Sequence, residues 1–207
     1  MAKTVLGVLA SGRGSNLQAI LDAIDANQIR AEVGVVISDK PTAAALVRAK
    51  EHGIPAVCID RKQFDSRAEF GKALAEVIEK HQVDLVVLAG FMRILDPDFI
   101  RLFSGRIMNI HPALLPSFQG LNAQQQAIDY GVRLSGCTVH FVDEGTDTGP
   151  IILQEAVPVM PDDTADSLAE RILVVEHRLY PQAIALYCDG RLLSDGRKVT
   201  ILSKEEQ

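Results

Sequence analysis

Short apolar runs alternate with stretches of helical spacing along most of this 207-residue chain. "KTVLGVLA" (3–10) leads into "SGRGSN" and then "LQAILDAI", whose apolar residues recur at helical intervals. That pattern predicts a strand, a Gly loop and a helix. "AEVGVVIS" (31–38) reads as a second strand, the Ala-rich "TAAALVRAKEHG" as a helix, and "IPAVCID" as a third strand. "DSRAEFGKALAEVIEKHQ" (65–82) is an amphipathic helix with Phe70, Leu74, Val77 and Ile78 as its apolar residues and Asp65 as a candidate cap. "DLVVLAG" (84–90) is a continuous apolar run, as expected of a strand buried on both faces, and "RIMNI" (106–110) is the fifth strand candidate.

Alternating β and α units imply an α/β fold with a mostly parallel twisted sheet and helices on both faces. After residue 133 the rhythm changes. "SGCTVHFVD" (135–143) and "PIILQEAVPV" (150–159) are joined by a short polar loop and are expected to pair antiparallel. "ADSLAERILVVEHRLYPQAIALYCDG" (165–190) reads as a long helix bent or stopped near Pro181, and the tail "SKEEQ" is expected to fray. In open α/β sheets ligands sit at the carboxyl ends of the strands, which directs attention to loops 11–16, 39–43, 60–66, 90–95, 109–121 and 143–149.

Composition narrows this picture. The formal net charge is −6 with no Lys/Arg-rich block, which speaks against a broad nucleic-acid face. An anionic ligand then needs a local basic or backbone-amide site. Cys58, Cys137 and Cys188 stand far apart without a CxxC, as reduced thiols of a cytoplasmic protein do. The run Val5–Ala10 is too short for a signal segment or a membrane span. His52, His81, His111, His140 and His177 show no metal-ligand spacing.

The Gly12-Arg13-Gly14-Ser15-Asn16 loop matches only the first two glycines of GxGxxG, and it lacks a Walker lysine. Its amides, at a helix start capped by Ser15 or Asn16, suit a single phosphate. A tight turn without ligand and a dinucleotide site using Asp39 are the other two readings. In "GRIMNIHPALLPSFQG" (105–120), Asn109 and His111 are two apart on a strand and project to the same side. They suit an oxyanion and a proton, or are simply satisfied polar residues. Pro112 and Pro116 stiffen the exit. "DEGTDTGP" (143–150) adds Asp147 in a constrained turn, where a carboxylate near His111 favours the charged imidazole.

"NIHPALLPSFQG" with "GCTVHFVDEGTDTGPII" resembles the signature of the formyltetrahydrofolate-dependent formyl transferases. "SGRGSNLQAI", "FDSR" (64–67) and "LAGFMRIL" (88–95) point to the branch whose acceptor is a phosphoribosylglycinamide. The resemblance runs from about Lys3 to about Gly190. It implies a Rossmann-like formyltransferase fold and one domain over 1–207. A phosphate-binding half covers about 1–100, a folate and catalytic half about 101–190, and a tail 191–207.

Carried over by residue, Gly14, Ser15 and Asn16 match the loop holding the substrate phosphate, and Arg67 a folate-site arginine. Met92, Arg93, Ile94 and Leu95 match the pterin-pocket segment. Asn109, His111 and Asp147 match the catalytic trio, with Asn109 and Asp147 also at the folate. Val142, Asp143 and Glu144 match the loop over the pterin, and Pro112 and Glu176 match residues beside the ribose and glycinamide. Asn122 stands where many members have a histidine.

The implied reaction moves a formyl group from 10-formyltetrahydrofolate, a co-substrate, to the amine of N1-(5-phospho-D-ribosyl)glycinamide in purine biosynthesis. The expected partners are small molecules, with no metal, no NAD, no nucleic acid and no membrane; a homodimer is one possible assembly. Formyltetrahydrofolate hydrolases share the trio but carry an N-terminal regulatory domain, and here the first apolar run begins at residue 3. The tRNA-directed sister enzymes carry an added basic C-terminal domain, and the last third of this chain is not basic. Outside the family, a regulatory folate- or nucleotide-binding domain and a NAD-dependent Rossmann protein are the competing classes.

Overall fold

The computed structural model describes residues 2–203, so most of the tail expected to fray, 204–207, lies outside the described residues. The chain divides into two compact units, Met1–Asn109 and Ile110–Gln207.

The first unit is built from β1 (Thr4–Leu9), α1 (Ser15–Asp25), β2 (Ala31–Ser38), α2 (Ala44–Glu51), β3 (Ala56–Cys58), a 3-10 turn (Arg61–Gln63), α3 (Arg67–Lys80), β4 (Leu85–Leu88), α4 (Pro97–Leu102) and the start of β5 (Ile107–His111). Its strands are all parallel, in the order β3-β2-β1-β4-β5. Leu6, Val8 and Leu9 of β1 and Leu85 and Val87 of β4 are wholly buried. Burial on both faces is why these strands read as continuous apolar runs. Leu17 and Ile20 of α1 and Leu74 and Ile78 of α3 complete this core. The chain winds outward from β1 to β3 and then returns to β4 on the other side of β1. The loops after β1 and β4 therefore open at the switch point, the place where such sheets bind ligands.

Two caps differ from expectation. The N-cap of α3 is Ser66, whose hydroxyl accepts from Glu69 N, and Asp65 stands one residue outside. Asp65 N donates instead to Glu69 Oε2. The N-cap of α1 is Gly14, with no side-chain cap, so Ser15 and Asn16 are first-turn residues.

The second unit holds the end of β5, then α5 (Ala123–Tyr130), β6 (Leu134–Phe141), β7 (Ile151–Pro158), α6 (Ala165–Cys188), β8 (Leu192–Asp195) and β9 (Lys198–Ile201). β6 and β7 pair antiparallel, as the short connection predicts, and β8 and β9 form an antiparallel hairpin that the apolar pattern did not announce. β9 meets β7 in parallel. α6 packs on β6, β7 and α5. Of the two expected outcomes at Pro181, a bend or a stop, the stop does not occur: the helix continues through it. A mid-helix proline costs about 3 kcal/mol. Leu179, Tyr180, Ala183 and Ile184 around it are buried, each large apolar one returning roughly 1.5–3 kcal/mol. The chain is thus a mostly parallel α/β fold with antiparallel strands toward its C-terminus. No described helix is long and apolar enough to cross a membrane.

Candidate functional site

In the first unit the Gly loop is held from below by α2. Gly14 has φ 73°, and a Cβ there would lie 2.9 Å from Ala45 Cα and Cβ, so both the backbone conformation and the packing require glycine. Arg48 Nε donates to Arg13 O at 3.0 Å and Arg48 Nη1 to Gln18 Oε1 at 2.9 Å. Ser15 and Asn16 open α1, where first-turn amides and the helix dipole favour an anion.

The loop after β4 is tied to this one. Ser11 N donates to Gly90 O at 3.0 Å, and Met92 N donates to Ser11 Oγ at 2.9 Å. Met92 and Ile94 are 57% and 67% exposed, while Leu95 is buried. Two large apolar side chains held out on a braced loop suit a flat apolar ligand ring. Arg93 Nε meets Asp39 Oδ2 at 2.6 Å, and the Asp39 side chain has no solvent exposure. Asp39 is therefore committed to Arg93, which removes the ribose acid that a dinucleotide site needs. Arg67, at the start of α3, is exposed, with Nε 3.8 Å from Asp96 Oδ2.

β5 carries both Asn109 and His111, and strand alternation puts their side chains on the same side. In the second unit His111 is buried, and each of its ring nitrogens faces an acceptor. Nε2 donates to Phe118 O at 2.8 Å, and Nδ1 lies 3.3 Å from Asp147 Oδ2. A carbonyl and a carboxylate cannot donate, so a ring nitrogen that bonds either of them does so through its N–H. Asp147 Oδ2 also accepts from Gly120 N at 2.8 Å, and Asp147 O accepts from Gln119 Nε2 at 3.1 Å. Phe118, Asn122 and Asp147 all have φ between 54° and 57°, three left-handed non-glycine residues in the two loops around His111. Such residues cost of order 1–3 kcal/mol each and persist where the surroundings over-determine them. Asn is among the side chains that tolerate this conformation, and Asn122 uses it to open α5. The Leu115–Pro116 peptide is cis.

The structure therefore brings His111 and Asp147 together, which spacing alone could not establish. It also adds residues that sequence reasoning missed. His140, 2% exposed on β6, has Nδ1 2.8 Å from Phe141 O and Nε2 3.8 Å from Asp147 Oδ1. Burial lowers its pKa, outweighing the Phe141 carbonyl and the Asp147 charge, which favour the protonated form; nearby His111 adds to the lowering. The signal available was one histidine in a strand that holds no Asp, Glu, Lys or Arg. Phe118 and Gly120 contribute through backbone atoms and carry no side-chain signal.

Asp143 Oδ1 accepts from Gly145 N at 3.1 Å and from Thr148 Oγ1 at 2.6 Å, which shapes the loop holding Val142, Glu144 and Asp147. A Cβ on Gly149 would overlap the Phe141 carbonyl oxygen. Pro112 is half-buried just after β5. Glu176 is buried on α6, and its charge helps to raise the Cys137 thiol, which burial chiefly pushes up to about 12. A thiol in that state is not a nucleophile. Among the described residues no group of three or more His, Cys, Asp or Glu is arranged to hold a metal ion.

Residues 4–184 match the family model described as formyl transferase. The chain is 48% identical over 197 residues to the trifunctional purine biosynthetic protein adenosine-3 of Bos taurus, covering 94% of this chain and 20% of that protein. It thus spans about a fifth of the length of that trifunctional relative. It is 45% identical over 185 residues to the phosphoribosylglycinamide formyltransferase of Escherichia coli, covering 89% of this chain and 87% of that one. The crystal structure of glycinamide ribonucleotide transformylase 1 from Symbiobacterium toebii superposes with a TM-score of 0.95 at 51% identity, covering 97% of this chain and 95% of that one. With a parallel sheet, a braced Gly loop and a paired His and Asp beside an Asn, this chain belongs to the formyl transferase family.

Proposed function

We propose that the chain transfers a formyl group from 10-formyltetrahydrofolate to the amine of N1-(5-phospho-D-ribosyl)glycinamide, acting as one catalytic domain in the cytoplasm, with small-molecule substrates and a homodimer as its possible assembly. The observation that carries this reading is His111 held between Phe118 O and Asp147 Oδ2, with Asn109 two residues before it on β5. The names and coverage of the Escherichia coli and Symbiobacterium toebii relatives support the choice of substrates.

In this reading Gly14, Ser15 and Asn16 hold the substrate phosphate with backbone amides, and Pro112 and Glu176 lie beside its ribose and glycinamide. Arg67, Met92, Arg93, Ile94 and Leu95 receive the folate, together with Val142, Asp143 and Glu144. Asn109 and the His111 imidazolium donate hydrogen bonds to the formyl oxygen as it gains charge under attack by the amine. Asp147 keeps His111 charged and oriented, and helps a water carry the amine proton to the leaving nitrogen. None of the chain's side chains is required to form a covalent bond to the formyl carbon.

The test is a formyl-transfer assay offering phosphoribosylglycinamide, water and tRNA as acceptors. Formylated glycinamide ribonucleotide is the expected product. Release of free formate without it would replace this reading with hydrolysis.

A further inference from the structure

Asp147 and His111 share a support that neither residue supplies. The loop from Phe118 to Leu121 gives one carbonyl to His111 Nε2 and one amide, Gly120 N, to Asp147 Oδ2. This loop has no regular secondary structure and enters α5 through left-handed Asn122. The half-buried Gln126, on the first turn of α5, reaches back over it. Its Nε2 donates to Gln119 O at 3.1 Å and to Leu121 O at 2.9 Å. These carbonyls flank Gly120 on either side. Both hydrogens of one planar amide are thereby used to fix the residue whose N–H meets Asp147.

We infer that Gln126 is a positioning residue for the His111–Asp147 pair, an inference that rests on reading this pair as the reacting groups. Gln126 touches neither of them. It fixes the loop whose backbone meets both. Without the clamp, Gly120 N and Phe118 O are free to shift by fractions of an ångström, and the carboxylate and imidazole follow. Catalytic groups tolerate little such play, and misplacement of about 1 Å is enough to cost about a hundredfold in rate.

The experiment uses the full chain with Gln126→Met, which keeps volume and helix propensity but has no donor, and Gln126→Glu. In Gln126→Met, kcat should fall roughly ten- to a hundredfold while KM for both substrates moves less than about threefold. Thermal melts should stay within about 4 °C of the parent. A kcat within about twofold of the parent overturns the inference, as does a loss expressed only in KM. Gln126→Glu places a carboxylate against two carbonyl oxygens. Its activity relative to the parent should recover as pH is lowered from about 8 to about 5, because a protonated Glu regains one donor. A flat ratio counts against the clamp even where the Met variant folds poorly.

Amide hydrogen exchange at Gly120 separates this inference from the functional reading. Faster exchange in Gln126→Met is expected whatever reaction the chain performs, and unchanged exchange overturns the clamp. A parent chain that transfers no formyl group to any acceptor overturns the functional reading and, with it, the positioning role.

Discussion

His111 has an acceptor at each ring nitrogen, so the direction of the ring is set from both sides. If it and Asn109 donate to a developing oxyanion, each single loss has a known scale. His111→Ala or Asn109→Ala should lower kcat by about 10²–10³, or about 2.7–4 kcal/mol of barrier. Steady-state kinetics at saturating substrates check this, and near-normal turnover in His111→Ala would sink the mechanism. His140 makes a different prediction. Burial depresses its folded pKa, while in the unfolded chain it protonates near its ordinary 6.5. Between those two values the unfolded state binds more protons, so its contribution to stability is fully present above the unfolded value and declines as pH falls through this window. Denaturant melts over about pH 8 to about pH 5 should show a downward slope that shrinks in His140→Gln. Equal slopes in both chains would show that another group is responsible.

Among the elements, β6 and the loop after β5 are joined at one hydroxyl. Thr138 Oγ1 donates to Ala113 O at 2.7 Å and accepts from Leu115 N at 3.0 Å and Gln154 Nε2 at 2.9 Å. That fills its one donor and two acceptor positions. Thr138→Val keeps the shape and strands Leu115 N, so it should cost roughly 1–3 kcal/mol in urea unfolding. Thr138→Ser should recover most of that loss. Ser66→Ala removes the cap of α3 and should cost about 1 kcal/mol by the same measurement. That cap was legible: Ser66-Arg67-Ala68-Glu69 fits the S-x-x-E pattern, a stronger signal than the lone Asp65. The central strands β1 and β4 were legible for a simpler reason, since burial on both faces leaves little but Val and Leu. β8 and β9 were not, because Leu193 and Ile201 stay exposed, β8 has no apolar alternation, and that of β9 spans only four residues. α6 was legible in extent, while the choice between a bend and a stop at Pro181 was not, because packing there overrides a local rule.

At the scale of the whole molecule, a net charge of −6 is set against two substrates that, in the proposed reaction, are both anions. Binding then depends on local amides and arginines working against the global field. Raising salt from about 0.05 M to about 0.5 M should weaken both substrates through screening of those local attractions. KM values that do not change with salt would remove electrostatics from the account of binding. The pairing of Asn109 with His111 could be read from strand period two, but Asp147 lies 36 residues further along the chain than His111. Only the folded geometry closes that gap, and it does so largely through backbone atoms of Phe118 and Gly120, which no side-chain pattern encodes.

The overlap of any Gly149 side chain with the Phe141 carbonyl has a consequence for heredity. Every single-nucleotide missense change in a glycine codon installs a residue with a Cβ, so no such step at this position avoids the overlap. At Gly149 the neutral path is closed. A library saturated at this codon and selected for growth on the encoded activity should return glycine almost alone.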